Sequence, residues 1–216
     1  MLDRWGRWAS LTGALFTVLL VVGFFSGSET PEPTAGPGKV VAYYAAHVSS
    51  TETSALVLAV AVLVLVLWAA ALTSYLRRTP AARGPELLVL PGAVLLAAGG
   101  LTLAALEFAI AHNIHHLSAE TARTMNILSD ELFLPLIAGG FLFALGSGLA
   151  ILRGAALPRW LGWVAIVIGV VALVPPISFF ALLALGIWSL IVSILIYIRL
   201  GAPESSEAVR VPAPAI

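Results

Sequence analysis

Hydrophobic residues occur in long continuous runs along this chain, separated by short breaks that are polar or rich in proline and glycine. An apolar run of roughly 20 residues can cross a bilayer as a helix, whereas a membrane β-strand would alternate apolar and polar positions. The pattern therefore predicts an all-α polytopic membrane bundle of six transmembrane helices. Their expected bounds are about 8–26, 54–76, 87–111, 131–151, 159–174 and 177–199.

The fifth run is the shortest, because Pro175 and Pro176 interrupt it. Proline lacks a backbone donor and disfavours helical geometry in the residue before it. A re-entrant helix followed by one span is therefore the alternative to two spans over 159–199. The spans form a single domain over 1–200, and the proline-containing segment 201–216 is expected to be a mobile cytoplasmic tail.

Two of the breaks between the apolar runs predict short helices at the membrane surface. Residues 39–49 place Val40, Tyr44 and Val48 on one helical face, which is typical of an amphipathic helix lying along the bilayer. A second short helix is expected from a cap at Ser118 through Leu128.

Capping residues are also expected where two of the spans begin. Ser49 and Glu52 have the spacing of a capping box for the second span, with Thr51 and Thr53 as alternative caps. Ser129 is expected to cap the fourth span.

The amino-acid composition is typical of a membrane protein and excludes several kinds of functional site. Hydrophobic residues make up 60% of the 216 residues and charged residues only 10%, against roughly 25% charged in soluble domains. The net charge is zero, which gives no general attraction to nucleic acid. Cysteine is absent, so disulfides, thiolate metal sites and iron–sulfur ligation are excluded.

The basic residues predict that both termini are cytoplasmic in a multi-pass plasma-membrane protein, because cytoplasmic loops are enriched in arginine and lysine. This orientation leaves only Lys39 and Arg123 outside. The arginines placed inside are Arg4, Arg7, Arg77, Arg78, Arg83, Arg153, Arg159, Arg199 and Arg210. A cleaved secretory signal is the alternative for the first run, but Trp5 and Trp8 are typical interfacial anchors of a retained span.

Three of the four histidines, His112, His115 and His116, lie together at the predicted outer end of the third span. On a helix continuing through residue 116 they share one face, and two of them can bind one metal ion. We considered His47, Asp130 and Glu131 as further ligands of zinc or another divalent transition metal. The competing interpretation is a wet polar loop, and Asp130 and Glu131 also suit the dipole at a helix start.

Glu107 is the strongest single candidate for a catalytic or proton-relay residue. It lies among apolar residues near the outer end of the third span, where a carboxylate is costly unless it is paired, protonated or facing water. The alternative is that Glu107 reaches the interface or bonds to a neighbouring helix.

Three sequence stretches together resemble an uncharacterised family of actinobacterial integral membrane proteins that bear a domain of unknown function. They are Trp5-Gly6-Arg7-Trp8, the segment NILSDELFLP at 126–135 and the segment LPRWLGW at 157–163. The resemblance covers most of the chain and implies a six-span inner-membrane protein of a high-GC bacterium. It carries over no catalytic residues, and the histidine run at 112–116 is not a feature of that family.

Three functional hypotheses follow. The first is a non-enzymatic bundle whose exterior cap binds a small ligand, a lipid or a partner protein. The second is a metal-dependent membrane enzyme, a lipid hydrolase or oxidoreductase, with His112, His116 and a carboxylate as ligands and Glu107 as acid or base. The third is a small transporter that uses Glu107 for proton coupling. Whether the chain is an enzyme and whether it forms a homo-oligomer are left open.

Overall fold

The computed structural model describes residues 2–28 and 30–201, which are mostly helical. A bend at Leu11 separates the first two helices, and two 3₁₀ turns, Pro80–Ala82 and Pro85–Leu88, precede α5. The α-helices of the described residues are α1 (Leu2–Ser10), α2 (Thr12–Ser26), α3 (Pro37–Ala46), α4 (Val48–Leu76), α5 (Val89–Asn113), α6 (Ala119–Glu131), α7 (Phe133–Gly154), α8 (Arg159–Ala172) and α9 (Pro175–Gly201). The predicted tail, 201–216, falls outside the described residues apart from Gly201.

Five helical stretches in the described part of the chain are long and apolar enough to cross a membrane. They are Gly6–Ser26, Val48–Leu76, Pro85–Asn113, Ala119–Gly154 and Ile177–Gly201. The apolar helix α8 has only 14 residues. It is therefore about 21 Å long, against roughly 30 Å for the hydrocarbon core. The predicted all-helical architecture is confirmed, and the five long apolar helices are consistent with a membrane bundle, whereas the sixth span stays a prediction.

Six helices form a closed ring in the order α2, α4, α5, α7, α8 and α9. Neighbours run antiparallel: Gly13 lies against Trp68 of α4, for example, and Gly23 lies against Leu58. Glycine allows the closest approach, between α5 and α7. A Cβ at Gly139 would lie 2.2 Å from the backbone nitrogen of Leu96, which is shorter than any real contact. Small residues therefore allow close packing between helices within the monomer.

The helices α3 and α6 pack against each other and cover one end of the ring, which we call the capped end. Their apolar faces bury Val40, Tyr44 and Ala122 against Ile110 and Ile114 of the α5 end. Both predicted short helices are present: α3 ends at Ala46, so that Val48 belongs to α4, and α6 extends three residues further than expected. The opposite end, where α4, α7 and α9 finish, is the arginine-rich end.

The predicted caps are only partly confirmed. The Ser118 hydroxyl accepts a hydrogen bond from the backbone N–H of Thr121 at 3.1 Å, as expected. Ser129 does not cap a span, because α6 continues to Glu131 and the Ser129 hydroxyl donates to the carbonyl oxygen of Asn126. The second span has no side-chain cap either. It begins at Val48 with His47 in the N-cap position, so Ser49 and Glu52 lie inside the helix and not at the positions of a capping box.

Candidate functional site

All of the long ring helices contribute to one cavity of about 90 Å³ beneath the capped end. Its lining residues are Phe16, Leu20 and Phe24 of α2, Leu58 and Val62 of α4, Leu96, Gly100, Leu103, Ala104 and Glu107 of α5, Phe133 and Leu136 of α7, and Leu182 and Leu185 of α9. The wall is therefore almost entirely apolar. A cavity of this kind favours an apolar occupant over water, which needs several polar partners.

Glu107 is the one ionisable residue among those that line the cavity. It lies on α5 less than two turns before Asn113, the last residue of the helix, and is half-buried. No basic side chain lines the cavity with it. A carboxylate in such surroundings interacts strongly with any positive charge or hydrogen-bond donor that enters, because little water screens it.

Large side chains fill the ring between the cavity and the arginine-rich end. Leu65, Trp68, Phe143 and Trp188 are almost completely buried there. The rings of Phe143 and Trp188 meet edge to face with centroids 6.2 Å apart, and the Trp188 indole donates to the carbonyl oxygen of Leu161. The cavity is therefore closed on this side by close packing, and its lining offers no polar route away from Glu107.

The cap is held together over this region by a buried tyrosine. The Tyr44 hydroxyl of α3 donates to Oδ1 of Asn126 on α6 at 3.1 Å, and Nδ2 of Asn126 donates to the carbonyl oxygen of Pro31. Burial raises the pKa of Tyr44 far above its ordinary value, and the negative charge of Glu107 raises it further. Tyr44 thus remains a neutral hydrogen-bond donor.

His112 pairs with Glu52 across the ends of two ring helices. The distance between Nδ1 of His112 and Oε1 of Glu52 is 2.9 Å. The His112 ring also stacks on Phe108, with centroids 5.5 Å apart. This pair joins the beginning of α4 to the end of α5 beside the cap.

A shared histidine face requires a helix that continues through residue 116, and the structure has a turn there instead. Helix α5 ends at Asn113, and His115 and His116 lie exposed on the turn that follows. His47 is the residue between α3 and α4, where its ring stacks on Tyr43 and its Nδ1 lies 2.8 Å from the Tyr43 carbonyl oxygen. The three histidines of 112–116 therefore do not project from one helical surface.

The predicted metal ligands do not converge in the described residues. Asp130 and Glu131 are exposed at the end of α6. Within residues 2–28 and 30–201, no group of three or more histidine, aspartate or glutamate side chains is arranged to hold a metal ion. Metal binding stays a prediction, without a ligand set to support it here.

Sequence reasoning identified Glu107 and His112 but missed their surroundings. Glu52 was interpreted as a capping residue, although a carboxylate on the same predicted side as the histidines was already a candidate partner for His112. The hydrogen bond between Tyr44 and Asn126 has only a weak indication in the sequence: Tyr44 places a hydroxyl on a helical face that is otherwise apolar. Apart from Glu107, the cavity has no sequence signal, because its other lining residues are ordinary apolar ones, chiefly leucines and phenylalanines.

Comparisons with protein-family models, curated proteins and solved structures find no match for this chain. The resemblance to an actinobacterial membrane family therefore stays a prediction. Function has to be argued from the cavity, the cap and the charged residues themselves.

Proposed function

We propose that this chain is a membrane protein that binds a small amphiphilic cation beneath its cap. The apolar part of the ligand occupies the cavity, and its positive head contacts the carboxylate of Glu107. Helices α3 and α6 cover the site on the capped side. This proposal develops the first of the three sequence hypotheses, and no observation in the described residues favours the metal enzyme or the transporter over it.

The observation that carries the proposal is one carboxylate on the wall of an otherwise apolar cavity. An ionised carboxylate in apolar surroundings needs a counter-charge, and the lining residues provide none. A ligand ammonium group supplies that charge. Its alkyl part gains free energy by leaving water for the apolar wall.

The size of the cavity limits the ligand. A volume of about 90 Å³ is that of roughly three water molecules at about 30 Å³ each. A short aliphatic chain fits this space, whereas a complete phospholipid does not. n-Butylammonium is therefore a suitable probe, with n-butanol and n-butyrate as its neutral and anionic counterparts.

The first experiment measures binding of these probes to detergent-solubilised protein by calorimetric titration. We expect n-butylammonium to bind more tightly than n-butanol, and n-butyrate not to bind. Ala104→Leu places a larger side chain at the cavity wall and should abolish binding. Ala105→Leu is the matched control, since Ala105 is the next residue, is exposed and does not line the cavity. Equal loss in both variants, or equal binding of cation and anion, would contradict the proposal.

We also propose the finer topology: six spans in the plasma membrane with both termini cytoplasmic. The arginine distribution supports it, as does the position of α8 between α7 and α9 in the ring. Because the chain has no cysteine, single cysteines can be introduced and labelled on intact cells with an impermeant maleimide. Cysteine at His115 and at Val174 should be labelled, and cysteine at Arg83 should not. Labelling at Arg83 alone would show the reverse orientation.

A further inference from the structure

A second depression lies at the arginine-rich end, between α1 and α2 on one side and α4 on the other, with α9 as its floor. Its apolar part has a volume of about 610 Å³. It is lined by Gly6, Trp8, Ala9, Ser10, Thr12, Leu67, Ala70, Ala71, Ser74, Tyr75, Arg78, Ile196 and Leu200. The exposed fractions of Trp8 and Leu67 are 61% and 60%. The apolar part is therefore accessible from outside the bundle, where lipid surrounds a membrane-spanning helix.

A polar part of about 280 Å³ continues from the apolar part. Tyr75, Arg78 and Leu200 line both parts, and Thr79, Ala156 and Arg199 complete the polar one. The two parts therefore form one continuous depression, which we call the arginine groove. Its combined size lies in the range of ligand sites, roughly 300–1,000 Å³.

Two guanidinium groups are held at the polar part of the arginine groove. Arg78 lies over the Tyr75 ring, with its Cζ 5.9 Å from the ring centroid. Arg199 donates to the carbonyl oxygen of Ala156, and the Tyr75 hydroxyl donates to the same oxygen at 3.3 Å. Guanidinium has five N–H donors, so Arg199 retains donors for a further acceptor.

The charge and shape of the arginine groove indicate its occupant. Among the described residues that line the groove, none is acidic. Paired guanidinium groups bind phosphate through short charge-assisted hydrogen bonds, and basic pockets between helices at a membrane surface suit anionic lipid headgroups. The apolar part of the groove lies beside this basic part and is open to the bilayer. It therefore suits an acyl chain attached to the headgroup.

We propose that the arginine groove binds one anionic phospholipid. Its phosphate contacts Arg78 and Arg199, and one acyl chain lies along Leu67, Ala70 and Ala71. This site is separate from the Glu107 cavity, because no described residue lines both. Neither proposal depends on the other.

Native mass spectrometry of the full chain in detergent tests this proposal. Phosphatidylglycerol and phosphatidylcholine with the same acyl chains are titrated separately, and the bound fraction is read from the mass of the complex. We expect one phosphatidylglycerol to bind at concentrations where phosphatidylcholine does not. Arg78→Gln and Arg199→Gln should each weaken phosphatidylglycerol binding about fivefold, the contribution of one arginine near an anionic surface.

Two matched controls distinguish binding in the arginine groove from nonspecific attraction of the lipid to positive charge. Arg83→Gln removes an exposed arginine that does not line the groove and should leave affinity unchanged. Ala70→Trp should block the acyl channel without altering charge, whereas Ala98→Trp, at another exposed alanine, should not. Equal binding of the two lipids, or equal losses from Arg83→Gln and Arg78→Gln, would overturn the proposal. So would full phosphatidylglycerol binding by the Ala70→Trp protein, a result that does not depend on how the arginine variants fold.

Discussion

The imidazole of His112 lies 2.9 Å from the carboxylate of Glu52, and the pair ties the end of α5 to the beginning of α4. The two residues are separated by sixty positions in the sequence. His112, a metal-ligand candidate on the sequence alone, is therefore hydrogen-bonded to a carboxylate beside the cap. Its side chain is 62% exposed and that of Glu52 27%, so screening by water limits the strength of the pair.

A double-mutant cycle with Glu52→Gln and His112→Gln measures this pair. We expect a coupling free energy of about 0.2–1 kcal/mol, as for other exposed ion pairs, because solvent screens both groups. Reversible unfolding in mixed micelles provides the four free energies. The coupling should shrink at high salt. Strictly additive effects of the two substitutions would show that the contact does not stabilise the protein.

Neighbouring glycines of α7 should respond very differently to alanine. A Cβ at Gly139 would lie 2.2 Å from the backbone of Leu96, whereas a Cβ at Gly140 would lie 3.4 Å from the flexible end of Leu182. Gly139→Ala must push α5 and α7 apart, and we expect a loss of about 1–3 kcal/mol in unfolding free energy. Gly140→Ala is the matched control and should change it by less than about 0.5 kcal/mol. Similar losses in both would mean that α5 and α7 are not packed at Gly139.

The buried Tyr44 hydroxyl should matter more than its exposed neighbour. Tyr44→Phe removes the donor to Asn126 and leaves a buried amide oxygen unsatisfied, at a cost of about 1–3 kcal/mol. Tyr43→Phe removes a bond to the carbonyl oxygen of Ser28 at an exposed position, where water replaces the donor. Thermal unfolding should therefore show a clear fall in Tm for Tyr44→Phe and a small one for Tyr43→Phe. The reverse order would contradict the arrangement of the cap.

Zinc should not stabilise the protein. His115 and His116 are exposed on a turn, so His115→Ala and His116→Ala should change the unfolding free energy by less than about 0.5 kcal/mol. A metal that binds the folded chain raises its Tm, and we expect no rise when zinc is added in excess. A zinc-dependent rise in Tm that His112→Ala abolishes would restore the metal site.

The helices were largely predictable from the sequence, because apolar runs and amphipathic periodicity are local properties. The boundary between α6 and α7 was not. Ser129 has the residue type of a cap, but tertiary packing buries it and the helix continues past it. The turn after Asn113 agrees with the interpretation of the histidine run as a polar loop, because the apolar pattern of the third span already ends near residue 111.

The candidate site was predictable only as single residues. An isolated carboxylate in an apolar run singled out Glu107. Its cavity depends on the order of helices in the ring, which brings Phe24, Leu58 and Leu182 to the same place from distant parts of the sequence. The order of helices in the ring follows from packing between them, so no single segment of the sequence predicts it.

The most direct test of the account is the affinity of n-butylammonium for the wild-type protein and for the Glu107→Gln protein, with Glu120→Gln as the control. Glu120 is an exposed carboxylate of α6 that does not line the cavity. Hydrogen bonds to charged groups contribute about 1.5–3 kcal/mol, so the account predicts a Kd at least tenfold higher for Glu107→Gln and unchanged for Glu120→Gln. The same Kd in all three proteins, or no binding to any of them, would contradict it.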